Sequence, residues 1–186
     1  LRSVIIGDGV TTIGSYAFCN VGTDDGVEEL QVTLGSNIEI IKNDAFNSCS
    51  KLKAITLPSK LKVIEQYAFN ATALESITIP ESVDSLGSRV FGECHNLANI
   101  HIDDKAEALK MIAGYYGTFN YSDADKSVYL GRDLKLSENS APFINVTAVE
   151  FGPTITAISD NMFRDVTKLR SVIIGDGVTT IGSYAF

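Results

Sequence analysis

LRSVIIGDGVTTIGSYAF, residues 1–18, returns without a change as residues 169–186. Weaker copies run between the two: Leu52–Phe69 agrees with the first at 5 of 18 positions, and Leu74–Phe91 at 7 of 18. A phrase that recurs with drift along a whole chain marks a periodic array, the sequence signature of a solenoid. Residues 1–186 are therefore read as a single domain, expected to be a fragment of a longer array.

Working outward from the phrase, its last residue gives the clearest ladder. Phe18, Phe46, Phe69, Phe91, Phe119, Phe143, Phe163 and Phe186 follow one another at intervals of about 23 residues, with a few insertions. Twelve residues before most of these stands an apolar strand residue: Ile6, Leu34, Leu57, Ile79, Phe151, Ile174. The next position turns the chain: Gly7, Gly35, Pro58, Pro80, Asp103, Gly131, Gly152, Gly175. Glycine permits unusual dihedrals and proline withholds a donor from a ladder, so each ends a strand.

Each unit reads as a short strand with period-two alternation, a turn, and an apolar curl closed by Phe. One such unit cannot bury its own apolar face, but a parallel stack makes a continuous core. The expected fold is a leucine-rich-repeat-like right-handed solenoid of about eight ~23-residue units with one short parallel strand per unit. The strands are expected near 3–6, 31–34, 54–57, 76–79, 99–102, 127–130, 148–151 and 171–174. One stretch departs from the phrase, DDKAEALKMIAGYYG at residues 103–117. Asp103 or Asp104 can cap a helix, and Ala106, Leu109, Ile112, Ala113 and Tyr116 fall on one helical face, which predicts a short helix near 104–116. Leu134–Pro142 is expected to be a loop.

Composition narrows the partners. The chain has 15 Lys and Arg against 23 Asp and Glu, a net charge of -8, and no basic cluster offsets it. Nucleic acid and anionic membrane surfaces are disfavoured by that sign. No apolar run approaches the ~20 residues of a membrane span, so no direct membrane insertion is expected of this segment.

The three cysteines read as packing groups. Cys49 and Cys94 stand three residues after their ladder Phe, where other units hold Val21, Thr72 and Val166. A site shared by Cys, Val and Thr selects a small buried group. No metal-ligand spacing is present. His95 falls in a turn and His101 on an outward strand position, with no nucleophile signature near either. Asp123 and Asp125 resemble the start of a calcium loop, but the glycine and distal glutamate do not follow. The glycines come once per repeat and serve turns, not a phosphate cradle. Three N-x-S/T sequons, at Asn70, Asn120 and Asn145, matter only where the source glycosylates them. The expectation is a non-enzymatic protein with no cofactor and no metal.

The phrase LxxVxIGDGVTTIGSYAF, with a small residue or Cys three after the Phe, resembles the BspA-like leucine-rich repeat. It stands here as LRSVIIGDGVTTIGSYAF, LKAITLPSKLKVIEQYAFNATA and LESITIPESVDSLGSRVFGEC. The resemblance implies a module displayed at the cell surface or outside the cell of bacteria, with adhesion to a protein or glycan ligand on host or microbial surfaces. A structural spacer is the alternative, and a scaffold attached to an enzyme domain outside these residues a third. End-to-end self-association of uncapped segments is also expected. The repeat motif itself consists of core and turn residues, so it names no ligand. The outward strand row does vary: Thr56 and Thr78 give way to His101, Tyr129 and Glu150 on neighbouring rungs. An imidazole, a phenol and a carboxylate at ~5 Å per rung form the candidate ligand patch, with Thr78 and Thr56 extending it.

Overall fold

The computed structural model describes residues 1–111, 117–119, 123–137 and 142–186. Among them the chain forms only short strands, in the order β1 (Ser3–Ile5), β2 (Thr12–Ile13), β3 (Gln31–Thr33), β4 (Ile40–Ile41), β5 (Val63–Ile64), β6 (Ser76–Ile79), β7 (Ser85–Leu86) and β8 (Asn99–Ile102). There follow β9 (Leu109–Met111), β10 (Lys126–Leu130), β11 (Leu134–Leu136), β12 (Val146–Phe151), β13 (Ala157–Ile158), β14 (Ser171–Ile173) and β15 (Thr180–Ile181). All pairings are parallel and join one turn of the chain to the next. One face holds β1–β3 and, separately, β6–β8–β10–β12–β14. A second face holds β2–β4–β5–β7–β9–β11 and then β13–β15. Most turns thus contribute two strands to two ladders, where the sequence led us to expect one. The second was hidden because a two-residue strand such as Thr12–Ile13 is too short to show alternation.

The third side of each turn is the curl around the ladder Phe. The eight rings form one column with centroids 5.2–5.8 Å apart and planes within 12° of parallel. Main-chain bonds tie this side together as well. Phe18 N–H donates to Ala45 C=O (2.8 Å), Phe46 N–H to Ala68 C=O (2.8 Å) and Phe69 N–H to Val90 C=O (2.9 Å). To aim those amides along the stack, the residues two before and two after the Phe take positive φ. They include Tyr16 and Asn20, Tyr67 and Ala71, and Arg89 and Glu93. Such dihedrals are uncommon away from Gly, Asn and Asp. The inter-turn bonds they permit are what sustain them.

Three expectations fall to the packing. The ~23-residue repeat is kept through about six turns rather than eight, since the stretches after β8 and β10 leave the common phrase. No helix occupies the described part of 104–116: Leu109–Met111 is β9, paired with Ser85–Leu86 on one side and Leu134–Leu136 on the other. Leu109 and Met111 fill the core at 0% and 1% exposure, and this pull of the stack outweighs a favourable helix pattern. Residues 112–116 lie outside the described residues. Leu134–Leu136 is β11, so the predicted loop at 134–142 begins as a strand, and 138–141 are again outside them.

The fourth correction shapes one face. Residues 54–57 were expected to be a strand, yet β3 pairs only with β1 and β6 only with β8. Ala54–Leu57 makes no main-chain hydrogen bond among the described residues. Chemistry at the following position explains the break. In later turns that residue donates back to the turn before: Asp103 N–H to Ile79 C=O (3.0 Å), Gly131 N–H to Ile102 C=O (2.8 Å), Gly152 N–H to Leu130 C=O (2.7 Å). Pro58 and Pro80 have no N–H to give. The result is a seam in the first face, although the second ladder and the Phe column run through the same turns unbroken.

Candidate binding face

The first face carries every residue of the predicted patch, and the strand pleat decides which side chains it presents. In β6 and β8 the apolar residues Ile77, Ile79, Ile100 and Ile102 point into the core, leaving Ser76, Thr78, Asn99 and His101 outside. Register then sets neighbours: Thr78 lies opposite His101, His101 opposite Tyr129, and Tyr129 opposite Glu150. Thr56 is exposed too, but it sits across the seam from Thr78 and not on a paired strand. The structure therefore brings Thr78, His101, Tyr129 and Glu150 into one row, with Thr56 facing them over a groove.

The rings of His101 and Tyr129 stack with centroids 4.5 Å apart and planes within 7°. Two carboxylates from the turn after β8 hold them. Asp103 Oδ1 lies 3.2 Å from His101 Nε2. The Tyr129 hydroxyl donates to both oxygens of Asp104, at 3.0 Å each. Partial burial, the Asp104 hydrogen bond and the charges of Asp104, Glu150 and Asp103 all push the Tyr129 phenol above its ordinary value, so it remains a donor. Gly152 makes room for this arrangement: a Cβ there would fall 2.5 Å from the Tyr129 hydroxyl and 2.6 Å from the Asp104 carboxylate. The neighbourhood of His101 and Tyr129 follows from the repeat, whereas the support from Asp103 and Asp104 does not, since the sequence offers one or the other as a helix cap.

Beside the stack, the seam opens a groove of about 430 Å³ lined by Ala54–Leu57, Ser59, Ser76–Thr78, Pro80 and Asp103. The paired prolines were the available signal for it. Both had been read as turn residues that withhold a donor, without the consequence for the sheet.

The remaining candidates resolve into packing. Cys49 and Cys94 are buried free thiols, and each S–H reaches the Phe carbonyl of the turn before, Phe18 O at 3.1 Å and Phe69 O at 3.2 Å. Burial pushes the Cys49 thiol up to about 11 and raises that of Cys94 as well, which favours the protonated thiol in both. His95 contacts Asp123 (3.1 Å), and Asp125 pairs with Lys168 (2.9 Å). Asn70 is only 8% exposed and donates to Asn47, which removes it as a glycan acceptor. Asn120 lies outside the described residues. Among those residues no helix is long and apolar enough to cross a membrane.

A solenoid of parallel turns with a Phe column, turn glycines and a small residue after each Phe is the architecture of leucine-rich repeats, and the comparisons agree. The family model for the BspA type leucine rich repeat region matches in 6 copies over residues 1–112, 26–140 and 141–186. The chain belongs to that family. Among solved structures it is similar to a leucine-rich repeat protein from Bacteroides ovatus (20% identity, TM-score 0.56) and to the leucine rich repeat protein of T. pallidum (19%, 0.56). It is also similar to a leucine-rich repeat protein from Eubacterium ventriosum (17%, 0.58). The matches take in 100%, 97% and 100% of this chain but 64%, 73% and 58% of those proteins, so it spans about two thirds of their length. At these identities the likeness is one of fold. No significant match exists among curated proteins.

Proposed function

We propose that this chain is a non-enzymatic binding module of a bacterial surface or secreted protein, and that it holds a protein or glycan ligand on its first sheet face. The observation that carries the reading is the stacked His101–Tyr129 pair. A row of solvated threonines would suffice for a sheet face with no partner, whereas this chain places two aromatic rings there. It fixes them with two carboxylates and clears space for them at Gly152. Fixed aromatic and mixed polar groups are the usual anchors of a binding surface. Glu150 and Thr78 continue the row, and Thr56 borders it across the seam.

The test is to replace His101, Tyr129 and Glu150 together with Thr and compare binding to matrix proteins and intact host cells. Loss of binding with an unchanged melting temperature supports the patch. Unchanged binding rejects it, and absence of binding by the unmodified chain favours a spacer.

A further inference from the structure

We infer that the seam between Ala54–Leu57 and β6, together with the free face of His101, is a docking site for an extended polypeptide carrying an arginine. The inference rests on the binding-module reading and names the ligand's chemistry. Three observations converge on it. Ala54–Leu57 and the outer edge of β6 present main-chain groups that no strand uses; Pro80 has no N–H to give the Leu57 carbonyl across the seam, and Pro58 none to give that of Leu34 on the other side of Ala54–Leu57. Unpaired strand edges recognise another extended backbone. His101 is stacked on its Tyr129 side only. Its other face looks across Thr78 towards the groove, because β8 lies between β6 and β10.

Asp103 supplies the third element. It lines the groove and its carboxylate stands 3.2 Å from the His101 ring, at the edge of that free face. A guanidinium is planar, stacks on aromatic faces and pairs with carboxylates through its fork of donors. An arginine laid on His101 would add a third layer to the stack and meet Asp103 at its edge. The net charge of -8 favours a cationic partner at longer range. A lysine offers the charge without the plane, and citrulline the plane without the charge.

The experiment uses a fluorescent peptide of alternating threonine and serine with one central arginine, and versions carrying lysine or citrulline there, read by anisotropy. The arginine peptide is expected to bind the chain, with either replacement weakening binding roughly tenfold. Asp103→Asn and His101→Ala should each do the same, while Glu39→Gln, which removes a carboxylate near the second face, should not. Pro58→Gly with Pro80→Gly restores both missing donors and should close the seam, with loss of peptide binding and new hydrogen-exchange protection at residues 55–57. Equal binding of the three peptides, or full affinity in Asp103→Asn, overturns the inference. So does full affinity in the double proline variant once its seam amides are protected. If the arginine peptide fails to bind while the His101, Tyr129 and Glu150 triple variant still loses its matrix or cell ligand, this site falls and the binding module stands. If the unmodified chain binds neither, both fall.

Discussion

Phe46 and Phe69 lie ring over ring, their centroids 5.3 Å apart and their planes within 1° of parallel. Both are fully buried. Each ring therefore has two neighbours of its own kind, and removing one uncouples the rungs above and below it. Phe69→Ala should cost about 3–5 kcal/mol, the range for truncating a buried Phe where the surroundings cannot collapse. Urea denaturation measures it, and a loss below about 1 kcal/mol would show that the column repacks.

Ala71 holds a φ of 54° two residues after Phe69. The left-handed region costs an L-residue about 1–2 kcal/mol, while glycine's extra chain entropy costs about 0.5–1. Ala71→Gly should therefore stabilise the fold by up to about 1 kcal/mol. Ala68→Gly, at a buried position of the same turn where φ is not positive, should destabilise it. Thermal melts of the two variants should move in opposite directions.

Arg132 is 1% exposed and donates to Pro80, Glu81 and Val83 carbonyls at 2.9, 3.1 and 2.8 Å, some fifty residues back in sequence. The surrounding charges of Asp84, Asp103, Glu81 and Glu107 offset part of what burying the guanidinium costs. Arg132→Ala removes three hydrogen bonds, of which the one to Val83 is buried and those to Pro80 and Glu81 are part-buried, and it empties a buried site, so it should cost about 2–3 kcal/mol. Arg132→Lys should recover little of it, because an ammonium cannot reproduce the fork. Chemical denaturation of the pair checks both statements.

Lys126 is fully buried and donates to Ala124 C=O (2.9 Å). Burial pulls its amine down to about 8 from an ordinary 10.5, with the charges of Asp125 and Asp123 opposing the fall. Between those values the unfolded chain holds more proton than the folded one, so stability from this group rises as pH climbs from about 8 to about 10.5. Below about 8 the amine is charged in both states and its contribution is flat. Lys126→Met should abolish that slope and raise the melting temperature at neutral pH, read by calorimetry across the pH range.

The repeat was legible because every turn must place the same ring in the same column, and eight phenylalanines at a nearly constant interval leave little choice of fold. Leu109–Met111 was misread because its helical pattern is a local signal, whereas the stack on either side of it is not. Ala54–Leu57 shows the reverse case. Its alternation is that of a strand, but pairing depends on donors one residue further on, and both are prolines. The positive φ at Tyr16, Tyr67 and Arg89 left no mark in residue type, since neighbouring rungs impose it. That His101, Tyr129 and Glu150 share one row was legible because strand register follows from the repeat. Their carboxylate supports were not, because Asp103 and Asp104 act from a turn that had been assigned to a helix.

The seam also has a mechanical meaning. Inter-turn hydrogen bonds run along the rod, so a pull on its two ends loads them in tension. On the first face the turn of Phe69 is strand-paired to neither neighbour, only single bonds from Leu30 N–H to Lys51 C=O and from Glu75 N–H to Lys53 C=O crossing there among the described residues, and its ring lies 5.7 Å from that of Phe91. The two junctions of that turn, with the break between β11 and β13 on the second face, are where parting under load is expected to begin. Each turn of about 23 residues then unravelled pays out roughly 70–80 Å of chain. A rod built this way lengthens under a pull before its Phe column is lost, and Pro58 and Pro80 set one of the places where the yielding starts.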